Sequence, residues 1–231
     1  MSKDQILGDP ARLAALHKTA LLETPAEDCF DRFTRLAGQI LGVPTVVLSL
    51  VDSRRQFFKS VVGKPAGLCL GWNPLDATFC EDVVTTGDAF IVPDIATDRT
   101  VAGRPVRAAA YAGVPLTTDE GEIIGALSAL DDKPHKWTSR EMDVLTALSS
   151  AIMSEIQRRV AERAAHDAQL RMVAERTLAH SVQQQMPVGV IVAEVPSGRL
   201  VSVNAQMTEI FRMSFTPAAD LKAYKYFVGF H

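Results

Sequence analysis

Cysteine is scarce and unpatterned in this chain: Cys29, Cys69 and Cys80 are three among 231 residues, an odd number with no C-x-x-C spacing. That excludes a disulfide framework and the common zinc motifs, and it fits reduced thiols in a cytosol. No apolar run approaches the roughly 20 residues needed to span a bilayer, and residues 1–9 carry acids without an apolar h-region. The expectation is a cytoplasmic chain with no membrane segment. A dominant charge is missing too: 24 Lys and Arg against 27 Asp and Glu leave a net charge of −3, with both signs interspersed. Binding nucleic acid by counterion release needs a basic face that this composition does not build. No Ser-His-Asp set, phosphate loop or paired-carboxylate motif stands out. No catalytic residue and no metal ligand is therefore assigned, and the chain is expected not to be an enzyme.

Glycine and proline are absent from residues 138–186, so a single long helix is expected there, opened by the capping box Thr138-Ser-Arg-Glu141. At 47% hydrophobic, the residues before it can bury one sizeable core. Residues 10–20 read as a first helix with Leu13 and Leu16 on its apolar side. A second helix is expected with Thr24 as N-cap, Pro25 at the first helical position and Glu27 two residues on. Its apolar stripe is Phe30, Phe33, Leu36, Ala37, Ile40 and Leu41, and it ends at Gly42. Residues 45–51 and 56–62 read as a hairpin, because β-branched and apolar residues flank a polar turn. Residues 63–74 read as a loop, 76–86 as a helix and 89–92 as a short strand. Arg99, Arg104 and Arg107 fall in an aperiodic stretch and read as a solvated face. A second hairpin is expected at 110–117 and 122–130, with Pro115 marking an edge or a bulge because proline cannot donate to a ladder.

Taken together, Phe33-Thr-Arg-Leu-Ala with Gly42-Val-Pro, Leu48-Ser-Leu-Val-Asp52 with Gln56-Phe-Phe-Lys59, Thr78-Phe-Cys80, Val92-Pro-Asp94, Tyr111-Ala-Gly-Val-Pro-Leu116 and Ile124-Gly-Ala-Leu127 resemble a GAF domain over residues 11–158. The resemblance implies an α/β (α+β) fold: a central antiparallel sheet, the first and last helices on one face and a ligand pocket on the other. Residues 185–213 resemble the opening of a PAS domain, a strand, a Ser-Gly turn, a strand ending in Asn204 and a helix. The domains expected are thus a GAF-like unit at 1–137, a signalling helix at 138–186 and a partial PAS-like unit at 187–231.

The candidate ligand pocket is placed where Phe58, Phe79, Cys80, Tyr111 and Ser128 are expected to converge, with apolar walls and a few polar tips. Phe58 and Phe79 alone read as core; Tyr111 is more informative, because a buried hydroxyl needs a partner. No cofactor is named. Bilin-attaching GAF domains show Cys followed by His, whereas Cys80 precedes Glu81, and no histidine sits centrally for haem. The cyclic-nucleotide signature is incomplete, with Glu81-Asp82 as a faint echo. An exposed Cys80 near a helix start would suit a thiol sensor.

Leu145, Ile152, Ile156, Leu170 and Val173 share a 3-4 seam, the register of a two-stranded coiled coil, with Arg159, Arg163 and His166 at its weak middle. A homodimer through the long helix is the expected partner arrangement. The function expected is the sensory and dimerisation region of a bacterial signalling protein, by resemblance a sensor histidine kinase, responding to a small molecule not yet identified. A GAF-fold redox enzyme and a ligand-free dimerisation scaffold are the alternatives.

Overall fold

The computed structural model describes residues 2–63, 68–197 and 199–212. The chain divides into two compact units, residues 1–162 and 163–231. The first is built on a six-stranded antiparallel sheet of β1 (Thr45–Val51), β2 (Arg55–Val62), β3 (Gly71–Pro74), β4 (Phe90–Val92), β5 (Ala110–Thr117) and β6 (Ile123–Asp131), in the order β3-β2-β1-β6-β5-β4. β1 and β6 are the central pair. Both are buried along nearly their whole length, which is why each reads as an almost continuous apolar run.

Two apolar layers cover the sheet. On one face α2 (Pro10–Lys18), α3 (Asp28–Leu41) and the start of α5 (Ser139–Gln185) pack through Leu16, Phe30, Leu145 and Ile152 onto Val46, Leu48 and Leu127. On the other face α1 (Lys3–Leu7) and α4 (Cys80–Thr86) cover Val47, Val51, Phe58 and Tyr111. The helix α1 is an element the sequence reading lacks. Ser2 and Gln5 form a complete capping box, and the buried Arg12 of α2 donates to the carbonyls of Leu7 at 2.5 Å and Val51 at 2.7 Å. That guanidinium caps the C-terminal end of α1 and holds it against β1.

Several expected elements are corrected. Residues 76–86 are not one helix: a short 3-10 turn at Leu75–Ala77 stops at the extended Thr78, and α4 starts at Cys80. Residues 63–74 contain the edge strand β3, which pairs Phe57 with Trp72 and Phe58 with Gly71. The second helix begins at Asp28 with Glu27 as its N-cap, and no side chain caps it. Thr24 cannot serve, because its hydroxyl donates to Leu21 O and accepts from Lys59. Leu36 and Ile40 of the expected apolar stripe are exposed, the buried face being Phe30, Thr34, Ala37, Gly38 and Leu41. Pro115 occupies the stretch of β5 beyond its pairing with β4, which ends at Gly113; there its missing N–H leaves no ladder bond unmade.

The helix α5 is fixed at its start. Thr138 and Glu141 close the capping box in both directions, at 2.7 and 3.3 Å. Leu145, Ile152 and Ile156 are buried against the sheet of their own chain, each contributing about 1.5–3 kcal/mol. The first three seam positions are thus occupied by the domain itself, and a seam shared with a twin can begin only further along. Leu170 and Val173, on the same spacing, are exposed, as are Leu178 and Val182.

His135 joins the end of β6 to the start of α5: Nδ1 lies 2.8 Å from Asp131 Oδ2, Nε2 lies 3.0 Å from Glu141 Oε1, and the ring stacks on Trp137 at 4.0 Å. Burial disfavours the imidazolium, but the two carboxylates outweigh it and raise its pKa above the ordinary 6.5. A folded-state pKa above the unfolded one gives stability that is complete below 6.5 and lost as pH rises through the raised value. Thermal melts of wild type and His135→Ala should differ most at about pH 5.5 and least at about pH 9. An equal gap at both would contradict this bridge.

In the second unit, β7 (Ile191–Ala193) and β8 (Leu200–Val203) pair antiparallel and lead into α6 (Ala205–Phe211). The buried Asn204 accepts from Val190 N at 2.9 Å and Met207 N at 3.1 Å, and donates to Val188 O and Gln183 O. The remainder of the expected PAS-like unit, 213–231, lies outside the described residues.

Candidate functional site

The face of the sheet away from α5 carries the candidate site, and strand alternation assigns its residues. Tyr111 of β5 and Ser128 of β6 reach the same side, where α4 presents the first-turn thiol of Cys80. Tyr111 Oη lies 2.7 Å from Ser128 Oγ, Cys80 Sγ 3.4 Å from Ser128 Oγ, and Tyr111 Oη 3.8 Å from Cys80 Sγ. The ring of Phe79 meets that of Tyr111 edge-on at 5.1 Å, and Phe58 joins the same apolar cluster. The five residues named from the sequence are thus brought together, all within 1% of complete burial. Gly113 makes room for them: a Cβ there would lie 2.4 Å from Tyr111 Oη and 3.0 Å from Ser128 Oγ. Burial pushes the Tyr111 phenol well above its ordinary range, with the neighbouring thiol adding to the shift. The phenol is therefore a neutral group that donates or accepts a hydrogen bond at any physiological pH.

Sequence reasoning missed a second polar group beside this one. Gln56 of β2, completely buried, accepts from Ser49 at 3.2 Å and Thr78 at 3.1 Å and donates to Pro74 O and Leu75 O. All four of its hydrogen-bonding positions are used, as a buried amide requires. Thr78 Oγ1 in turn accepts from Cys80 N at 3.2 Å, which sets the entry to α4. The available signal was a serine within the apolar run of β1 and a glutamine next to Phe57 and Phe58 of β2.

Arg104 is a further correction. Its guanidinium is not solvated with Arg99 and Arg107: it pairs with Glu81 at 2.8 Å and Asp82 at 3.0 Å, donates to Thr78 O and lies 5.0 Å over the Phe79 ring. Lys3 of α1 adds a contact of 2.7 Å to Asp82. Arg104 and α1 thus close the candidate site from outside, and the Glu81-Asp82 pair is engaged with cations of its own chain. Cys80, fully buried, does not meet the exposure that an accessible thiol sensor needs.

A separate cleft of about 530 Å³ lies at the β3 edge, lined by Phe57, Lys59, Leu70, Trp72 and the 23–26 segment, with Phe58 touching both places.

The GAF domain family profile matches residues 25–156. A cyclic di-GMP phosphodiesterase of Pseudomonas aeruginosa is 28% identical over 153 residues, covering 63% of this chain and 25% of that protein. The chain therefore spans about a quarter of the length of this curated relative. Among solved structures, a GAF sensor protein from Burkholderia vietnamiensis aligns with a TM-score of 0.49 at 18% identity, over 70% of this chain and 99% of that one. A type II free methionine-R-sulfoxide reductase from Thermoplasma acidophilum aligns with a TM-score of 0.48 at 14% identity, over 56% and 91%. The curated relative is named as an enzyme, and the expectation that the chain is not one is withdrawn on that finding. Missing triads and phosphate loops speak only of those motifs, not of every chemistry that accompanies this fold. With its profile matched across more than half of its length, and with the layered sheet described above, the chain belongs to the GAF domain family.

Proposed function

We propose that this chain is the sensory and dimerisation region of a cytoplasmic bacterial signal-transduction protein. A small molecule binds on the face formed by Phe58, Phe79, Cys80, Tyr111 and Ser128, and the signal passes along α5 toward a PAS-like unit. One observation carries the reading: a buried cluster of hydroxyl and thiol groups lies on one side of a sheet whose other side holds the start of α5. Small-molecule sites have this character, apolar walls with a few convergent polar groups. Because the five side chains are closed off from solvent, ligand entry requires movement of the groups around them, Arg104 and α1 included.

The output in this reading is a histidine kinase, following the GAF, helix and PAS order. A second output is favoured by the relative at 28% identity, a cyclic di-GMP phosphodiesterase. Either output receives the same input from α5.

Native mass spectrometry of the chain as purified tests the ligand assignment. A bound small molecule should be present and should be lost from Tyr111→Phe and Ser128→Ala. A wild-type chain that carries no added mass and binds nothing from a metabolite extract would leave a dimerisation scaffold as the better description.

A further inference from the structure

We propose that β2 links the two faces of the sheet where it bulges, tying the ligand-side wall at Phe58 to α5 through Lys59, Glu27 and Arg159. The pairing of β1 with β2 runs Ser49 with Phe58 and then Leu48 with Ser60, which leaves Lys59 as the extra residue. The bulge sets Lys59 and the following Ser60 on the same face, where Ser60 Oγ meets Thr34 Oγ1 of α3 at 2.8 Å. Phe58 lies in the cluster with Phe79 and Tyr111, while its neighbour Lys59, by ordinary strand alternation, points to the face of α3 and α5.

The Lys59 side chain is completely buried, and its ammonium meets Thr24 Oγ1 at 2.5 Å, Pro25 O at 2.7 Å and Glu27 Oε1 at 2.5 Å. Three donors find three acceptors, so the group has no spare bond with which to tolerate movement. The other Glu27 oxygen accepts from Arg159 of α5, whose Nε reaches Glu155 at 2.6 Å and whose second terminal nitrogen lies 2.9 Å from Cys29 Sγ. One carboxylate is thereby shared between a cation of the sheet and a cation of the helix. Burial opposes its ionisation, but the bonds from Lys59 and Arg159 prevail and hold Glu27 below the usual carboxylate range.

The position of Glu27 agrees with this. It is the N-cap of α3, yet its side chain makes no capping bond, being directed instead at the two cations. A shift of the β2 backbone at Phe58 must move Lys59. A buried ammonium cannot leave its paired carboxylate without becoming an unpaired charge, so Glu27 follows, and Arg159 with it. The linkage rests on the proposed ligand face as its input side. The test uses no ligand, so a failure here leaves the ligand assignment standing, and the reverse also holds.

Amide hydrogen exchange of the whole chain reads the linkage at α5 residues 156–162. Phe58→Leu should raise exchange there about tenfold in the wild-type background and leave it unchanged once Glu27→Gln is present. An equal rise in both backgrounds, or no rise in either, would overturn the proposal. Should Phe58→Leu fail to fold, Lys59→Met, which keeps the length of the stem, takes its place. Its effect at 156–162 and that of Glu27→Gln should then coincide when combined; full additivity would show that the two act separately.

Discussion

Phe79→Ala should lower the unfolding free energy by about 3–5 kcal/mol, the range for deleting a fully buried aromatic ring. The ring is completely buried, packs edge-on with Tyr111 at 5.1 Å, tilts against Phe90 at 5.6 Å and carries the Arg104 guanidinium on its outer side. Its removal leaves a cavity beside Cys80 that β5 and β6 cannot close, because both belong to the sheet. Arg104 retains Glu81 and Asp82, so the loss is one of packing and not of ion pairing. Urea denaturation measures it. A loss under about 1 kcal/mol would mean that the ring is not a packed wall of the site.

Gly125→Ala should cost about 3 kcal/mol or more, at the upper end for overpacking. Gly125 lies in β6 opposite Leu50 of β1 and Leu116 of β5. An added Cβ would stand 2.0 Å from the Ser49 carbonyl oxygen and 3.0 Å from Leu50 Cα. Those are backbone atoms of the central strand pair, which have no rotamer to change. Relief requires β1 and β6 to separate where the sheet is most buried. Expression in soluble form with a native-like thermal transition would show that this register is wrong.

Local patterns and tertiary structure differ in how far the residues reveal them. The two hairpins were legible because apolar runs flanked by polar turns report strands directly, and Thr138 with Glu141 marked the start of α5 without ambiguity. The candidate site was legible as a set of residue types, but its closure was not. Arg104 reads as a surface charge until the partners Glu81 and Asp82, some twenty residues earlier in the chain, are known. The start of α3 was misplaced for a similar reason. Thr24 and Glu27 have the composition of a cap, and Lys59 and Arg159, distant in sequence, take their side chains.

The seam on α5 shows a further limit. A 3-4 spacing identifies a helix face and not what covers it. Leu145, Ile152 and Ile156 pack on their own sheet, whereas Leu170 and Val173 continue the same spacing in the open. A long helix gains little stability without a packing partner, and that exposed apolar run is where a second copy would supply one.

Sedimentation equilibrium of the chain at tens of micromolar tests this directly. The account predicts twice the chain mass of 25.1 kDa, falling to the single mass when Leu170 and Val173 are both changed to Glu. A wild-type chain that sediments as a monomer at that concentration would contradict it.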